Sequence, residues 1–177
     1  MSNKIQVFDL SNASNVSLTS TGFKRKDESA KYVCKITDAT IVFVGDNSKF
    51  TTDKKKQFNT ITITLPEKQS EEFKRILNET KKKSLSYSEY DGEIQFKVKL
   101  SPSTKIVNND KKPIKIDLQK VPCTDLREYK DATIDIVVTG TSNEFQGKNG
   151  EMFSYISLTA TQIKIKSMNS VFDCDFL

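Results

Sequence analysis

The 177-residue chain carries 28 basic and 23 acidic residues, three cysteines and no histidine. That length suits one domain whose core holds without staples, and no apolar run approaches the ~20 residues of a membrane-spanning helix. Without histidine a Ser-His or Cys-His nucleophile pair is excluded, which argues against an enzyme.

Cys34, Cys123 and Cys174 show no ligand spacing, so neither a metal nor another cofactor is expected. Gly147-Lys148-Asn149-Gly150 is too short for a phosphate-cradling loop. The opening residues lack an apolar signal core, which points to an intracellular, reducing compartment. A net charge of +5 suits a polyanion binder, and the body is more basic still, because residues 167–177 hold Asp173 and Asp175 and no cation.

Residues 1–27 are rich in Ser, Asn and Thr. Ile5, Val7, Phe8 and Leu10 would make one edge strand, and the rest reads as a flexible arm in which Lys24-Arg25-Lys26 is solvated charge. The main domain is expected over residues 28–166. Residues 32–45 form its first long strand. Ala39, Ile41 and Phe43 share a face, while Cys34 and Ile36 have the opposite parity, so a bulge is expected near Thr37-Asp38. A polar connection follows with Phe50 and Lys54-Lys55-Lys56. In the next strand Ile61, Ile63 and Leu65 are the buried set. Phe58, Thr60, Thr62 and Thr64 form its other face, either the floor of a groove with Phe58 at the entrance or plain wet sheet surface.

Pro66 and Glu67 open a helix that runs to about Lys82, with Glu71 and Glu72 near its positive end and Phe73, Ile76, Leu77 and Thr80 as an apolar stripe for core packing. Tyr87 and Tyr90 precede an Asp91-Gly92 turn. Residues 93–100 then alternate, Ile94, Phe96, Val98 and Leu100 inward against Gln95, Lys97 and Lys99 outward. Residues 101–110 read as a polar excursion with Pro102, residues 113–118 as an edge strand, and residues 121–129 as a connector.

The last long segment, residues 131–166, is a β-hairpin: two β-rich runs around a connection with glycines at 140, 147 and 150. Ile134, Ile136 and Val138 share one face of the first run, and Ile156, Leu158 and Ala160 one face of the second. Ile163 and Ile165 are out of phase with that set, which predicts a bulge near Thr161-Gln162.

Residues 132–140, Phe145-Gln146-Gly147-Lys148, Gly150 and residues 153–165 together resemble the C-terminal hairpin of single-stranded DNA-binding proteins of bacteriophages and large DNA viruses. The resemblance implies an OB barrel with strands of DNA across its face and bases stacked on aromatic rings. The expected fold is therefore mainly β with one helix, an OB-fold-like five-stranded barrel with a long C-terminal hairpin; an open β-sandwich, structural or interaction-mediating and suited to a virion, is the competing architecture. The helix falls between the second and third strand runs rather than between the third and fourth as in the commonest OB arrangement. Either residues 32–45 supply two strands or the topology is a variant.

On that resemblance the implied function is coating single strands in replication, recombination or repair, at sites of viral or phage DNA replication. RNA is a second candidate ligand, and self-association is left open. Lys35, Lys54, Lys55, Lys56, Lys97, Lys99 and Lys148 are the candidate phosphate contacts; Phe58, Phe145, Phe153 and Tyr155 are the candidate stacking rings. The ending Phe172-Asp173-Cys174-Asp175-Phe176-Leu177 is similar to the acidic-aromatic tails with which such proteins recruit replication proteins, so Asp173, Asp175 and Phe176 are candidate partner contacts. With only two acids and a leucine after the last ring, it reads equally as a strand that tucks Phe172 and Phe176 into the body.

Overall fold

The computed structural model describes residues 5–26, 28–78, 87–90 and 93–168. Nine strands belong to one sheet: β1 (Gln6–Asp9), β2 (Val16–Thr19), β3 (Gly22–Arg25), β4 (Tyr32–Asp46), β5 (Asn59–Thr64), β6 (Tyr87–Tyr90), β7 (Glu93–Val107), β8 (Thr133–Gln146) and β9 (Met152–Ser167). One helix, α1 (Glu67–Asn78), lies between β5 and β7; Thr80 and the lysines at 81–83 fall outside the described residues.

The five long strands close a ring. The pairing runs β4-β5-β7-β9-β8 and returns to β4, with β7 and β9 parallel and the other ring pairs antiparallel. The expected barrel is thus present, and the open sandwich is not. β4 serves two neighbours at once, β8 through residues 34–40 and β5 through residues 40–46. It is one continuous strand, so the helix position marks a variant topology.

Bulges make this closure feasible. One lies between Ile36 and Ala39, as the phase change predicts, with Asp38 at φ 59. Side chains hold it. Gln69 of α1 accepts from Thr37 N at 3.0 Å and donates to Thr37 O at 2.7 Å, and Asp135 Oδ1 accepts from Asp38 N at 3.1 Å. The second expected bulge is also found: Val137 faces Gln162 but Val138 faces Ala160, leaving Thr161 as the extra residue. An extra residue strengthens local twist and turns a long strand toward its next neighbour.

A third bulge corrects the sequence reading. Between Ile41 and Phe43 the register with β5 slips by one, so Phe43 leaves the inner face and stands 61% exposed opposite Thr62. Residues 101–107 do not form an excursion; they continue β7, with an irregularity against β9 between Leu100 and Lys105 that accommodates Pro102. Thr104 repairs the ladder there, donating its hydroxyl to Ala160 O at 2.7 Å. The edge strand expected over residues 113–118 reduces to a single bridge between Val107 and Pro113.

The edge strand expected near the start of the chain is present as β1, paired with β4, and the part expected as a flexible arm forms strands instead. Residues 6–25 form β1 to β3 and bury Phe8, Leu10, Val16, Leu18 and Phe23. Rings link these strands through α1 to the barrel: Phe8 to Phe23 at 5.4 Å between centroids, Phe23 to Phe73 at 6.4 Å, Phe73 to Phe96 at 4.9 Å. The Phe8–Phe23 and Phe73–Phe96 pairs are edge-on and the Phe23–Phe73 pair is tilted; edge-on pairs add about 0.5–1.5 kcal/mol each beyond their buried area. Gly140 makes room for the chain, since a Cβ there would lie 2.9 Å from Phe23 Cζ. No helix among the described residues is long and apolar enough to cross a membrane.

Candidate nucleic-acid interface

Alternation puts every second residue of β5 and β7 on the outside of the ring. Their register aligns two cross-sheet rows. Phe43, Thr62 and Lys97 form one row; Gly45, Thr60 and Lys99 form the next. The missing side chain at Gly45 matters here. A Cβ would sit 2.9 Å from Phe43 Cε1 and 3.3 Å from Thr60 Oγ1, so the Phe43 ring lies over bare backbone.

The β5 and β7 members of these rows line an open groove of about 470 Å³; Phe43 and Gly45 lie next to it on β4 and are not part of its lining. Thr60 and Thr62 line it with Phe58, Lys97 and Lys99; Ile156, Ser157 and Leu158 of β9 contribute, and Asp46, Asn47 and Phe50 enter from the end of β4. Lys99 Nζ stands 4.6 Å from the Phe58 ring centroid, a cation–π distance. Phe50 is 88% exposed, the barest large apolar side chain of those described.

The connection after β4 is rigidly tied to the groove. Asn47 Nδ2 donates to Lys56 O at 2.9 Å and its Oδ1 accepts from Phe58 N at 2.7 Å. Lys54–Lys56 form a 3-10 turn capped by Asp53, with all three side chains exposed next to Phe58 in sequence. Buried Asn59 fixes the opposite flank. It donates to Leu118 O at 3.2 Å and Lys120 O at 2.9 Å, and accepts from Cys123 N at 2.9 Å. The Asp46 carboxylate accepts from the Ser48 hydroxyl and from Ser48 N at 2.8 Å. The hydroxyl bond first, then the backbone bond, hold its pKa below the usual carboxylate value, with Lys49 and Arg127 adding to the effect.

Of the residues expected from sequence, the structure brings Phe58, Lys97 and Lys99 to one groove and puts Lys54, Lys55 and Lys56 beside it. Lys35 is elsewhere, paired with Asp9 of β1 and Val137 of β8. Lys148 is exposed in the hairpin turn, where Gly147 N donates to Glu151 O and Gly150 takes φ +78. β4 pairs with β8 only up to Val138, and β7 with β9 only from Thr159. Among the described strand pairings, residues 141–146 and 152–157 pair with each other as the outer part of the hairpin, whose base stays packed on the ring through buried Ser142 and Ile156. Its backbone register sets Phe145 against Phe153 and Asn143 against Tyr155; the side chains of Phe145, Phe153 and Tyr155 lie outside the described set, as do Asp173, Asp175 and Phe176 altogether.

Sequence reasoning missed Phe43 and Phe50. Phe50 had a signal: a lone aromatic in a polar connection, with no apolar partner at strand or helix spacing. Phe43 had none, because nothing in Ile41-Val42-Phe43 marks a bulge.

No family model and no curated protein sequence matches the chain. Solved structures do. The single-stranded DNA-binding protein of bacteriophage Enc34, C-terminally truncated, superposes with a TM-score of 0.54 at 11% identity, over 87% of this chain and 94% of its own. The fold is that of phage single-stranded DNA-binding proteins. The Enc34 protein in complex with single-stranded DNA gives 0.51 at 10% identity over 90% and 99% of the two chains. The bacteriophage T7 single-stranded DNA-binding protein gp2.5 gives 0.51 at 7% identity, over 82% and 97%. Identities this low carry the architecture and no residue-level correspondence, so the groove must be argued from this chain alone.

Proposed function

We propose that this protein binds single-stranded DNA in the β4-β5-β7 groove, without catalysing a reaction, and so covers and protects exposed strands in replication, recombination or repair. One observation carries the reading: two lysines, a threonine floor and an accessible ring meet in one open groove on a barrel whose structural neighbours are single-stranded DNA-binding proteins. Lys97 and Lys99 neutralise phosphates, and Lys54–Lys56 extend the charge beyond Phe58. Phe58 stacks a base, with Phe50 and Phe43 as further platforms at the rim. Thr62 suits the floor because it is half-open, small enough for a base to lie flat and polar enough to stay wet when none is bound, whereas Thr60 is buried at 3% exposure and offers a base little surface. Stacking of this kind contributes roughly 1–3 kcal/mol per base and tolerates any sequence.

Phe145, Lys148, Phe153 and Tyr155 would act as a second contact region on the hairpin ribbon, and the terminal Asp173, Asp175 and Phe176 as a contact for replication proteins. Lys35 stands apart from this path. Titration of a fluorescent oligonucleotide at several salt concentrations tests the proposal. Affinity for single strands should exceed that for a duplex of equal length and fall as salt rises, since bound lysines release counterions. Affinity that is absent, or insensitive to salt, refutes it.

A further inference from the structure

The ring and one of the cations that the groove offers to a single strand are engaged with each other in this structure. Lys99 stands directly across from Thr60, two residues along from Phe58. Diagonal neighbours of that kind lie within reach of an aromatic and a long side chain. Lys99 Nζ accordingly lies over the Phe58 ring, 4.6 Å from its centroid. Both side chains are half-buried and both line the groove. Elsewhere on the sheet Lys164 and Lys166 pair with the carboxylates of Asp135 and Asp38. Lys99 has no such partner: among the described residues no carboxylate and no hydrogen-bond acceptor engages its ammonium, only the ring does.

Taking the single-strand reading above as its basis, we infer that Lys99 caps the Phe58 platform and gives it up only to a phosphate. The ring face under the ammonium is the one turned toward β7. A base stacked on that face sits with ring centroids about 4.5–7 Å apart, in the space that Nζ now fills. The flexible four-carbon stem of lysine lets the ammonium swing aside while the base takes its place. Stacking and charge neutralisation at this position are then one exchange: the base enters as the cation leaves, and the phosphate of the same strand gives the cation a new partner. A ligand with bases but no phosphates breaks the cation–π contact with nothing in return, so Lys99 makes the groove select against uncharged ligands as well as for polyanions.

The test is a double-mutant cycle: parent, Lys99→Gln, Phe58→Ala and the double variant, each titrated with labelled oligo(dT) at one salt concentration. Each single substitution removes its own contribution to binding and also the need to part ring from cation. The double variant should therefore lose about two- to five-fold more affinity than the product of the two single losses, the size of one exposed cation–π contact. Losses that simply multiply, or a double variant that loses less than their product, overturn the inference, for then the base stacks elsewhere on the ring while the ammonium stays. If Phe58→Ala fails to fold, Phe58→Leu takes its place in the cycle. A second measurement leaves Phe58 untouched. Lys99→Gln should bind oligo(dT) with an uncharged methylphosphonate backbone about two- to five-fold more tightly than the parent, yet bind the phosphodiester oligomer more weakly. A parent that matches or exceeds the variant on the uncharged oligomer also overturns the inference; where neither protein binds that oligomer, the cycle decides. A parent that does not bind the phosphodiester oligomer refutes the single-strand reading itself.

Discussion

Replacing Lys97 and Lys99 together by glutamine removes the two cations of the groove lining and leaves its floor unchanged. For single strands the slope of log affinity against log salt is roughly 0.7 per phosphate neutralised, so the variant's slope should be shallower by about 1.4. Between 50 and 200 mM salt, the parent should lose about seven-fold more affinity than the variant. Neither residue is part of the core: Lys97 is exposed and Lys99 half-buried, so thermal unfolding should be nearly unchanged. Fluorescence anisotropy with one oligomer at four or five salt concentrations reads the slope directly. A variant with the parental slope would refute the reasoning and move the phosphate path elsewhere, with Lys54–Lys56 as the next cations to remove.

Other outcomes follow from the same geometry. Phe58→Ala should weaken binding by about 1–3 kcal/mol with no change in salt slope, because a ring releases no counterion; the same titration checks it. Asn59→Ala should destabilise the fold by about 2–4 kcal/mol, since it strips the buried Cys123 N–H of its acceptor and two carbonyls of their donor. Urea unfolding should show a lower midpoint at unchanged m-value. The carboxyls of Asp9 and Asp46 are held low, chiefly by the side-chain hydroxyls of Ser11 and Ser48. A folded pKa below the unfolded value of about 3.9 stabilises fully above that value and less as pH falls through the folded one. The stability difference between parent and Asp46→Asn, read by thermal melts, should therefore shrink on acidification below about pH 4.

Much of the ring was legible because its signals are local and periodic. Parity changes at Thr37-Asp38 and near Thr161 mark extra residues wherever one face must stay buried, and the structure has a bulge at each. Phe43 escaped that logic. Ile41, Val42 and Phe43 are all β-favouring and apolar, so either face could have been the buried one, and only pairing with β5 decides. Residues 16–25 were illegible for another reason. Their buried residues fall on two strands of four residues around a polar turn, too short for a period to emerge. Continuation of β7 past Pro102 depends on parallel pairing with β9, some 60 residues on, which no local pattern announces. In the groove, Phe58, Lys97 and Lys99 were readable as outward positions of alternating strands. Phe50 was not, since its placement depends on the loop that Asn47 ties down.

Amide chemical-shift mapping on adding a single-stranded oligonucleotide asks directly whether the β4-β5-β7 face is where DNA lies. Shifts should concentrate at Gly45, Asp46, Phe58, Thr60, Thr62, Lys97 and Lys99 and spare Lys35 and its neighbours on β1 and β8. Shifts centred on Lys35, or spread evenly over the lysines of the surface, would contradict the assignment of this groove.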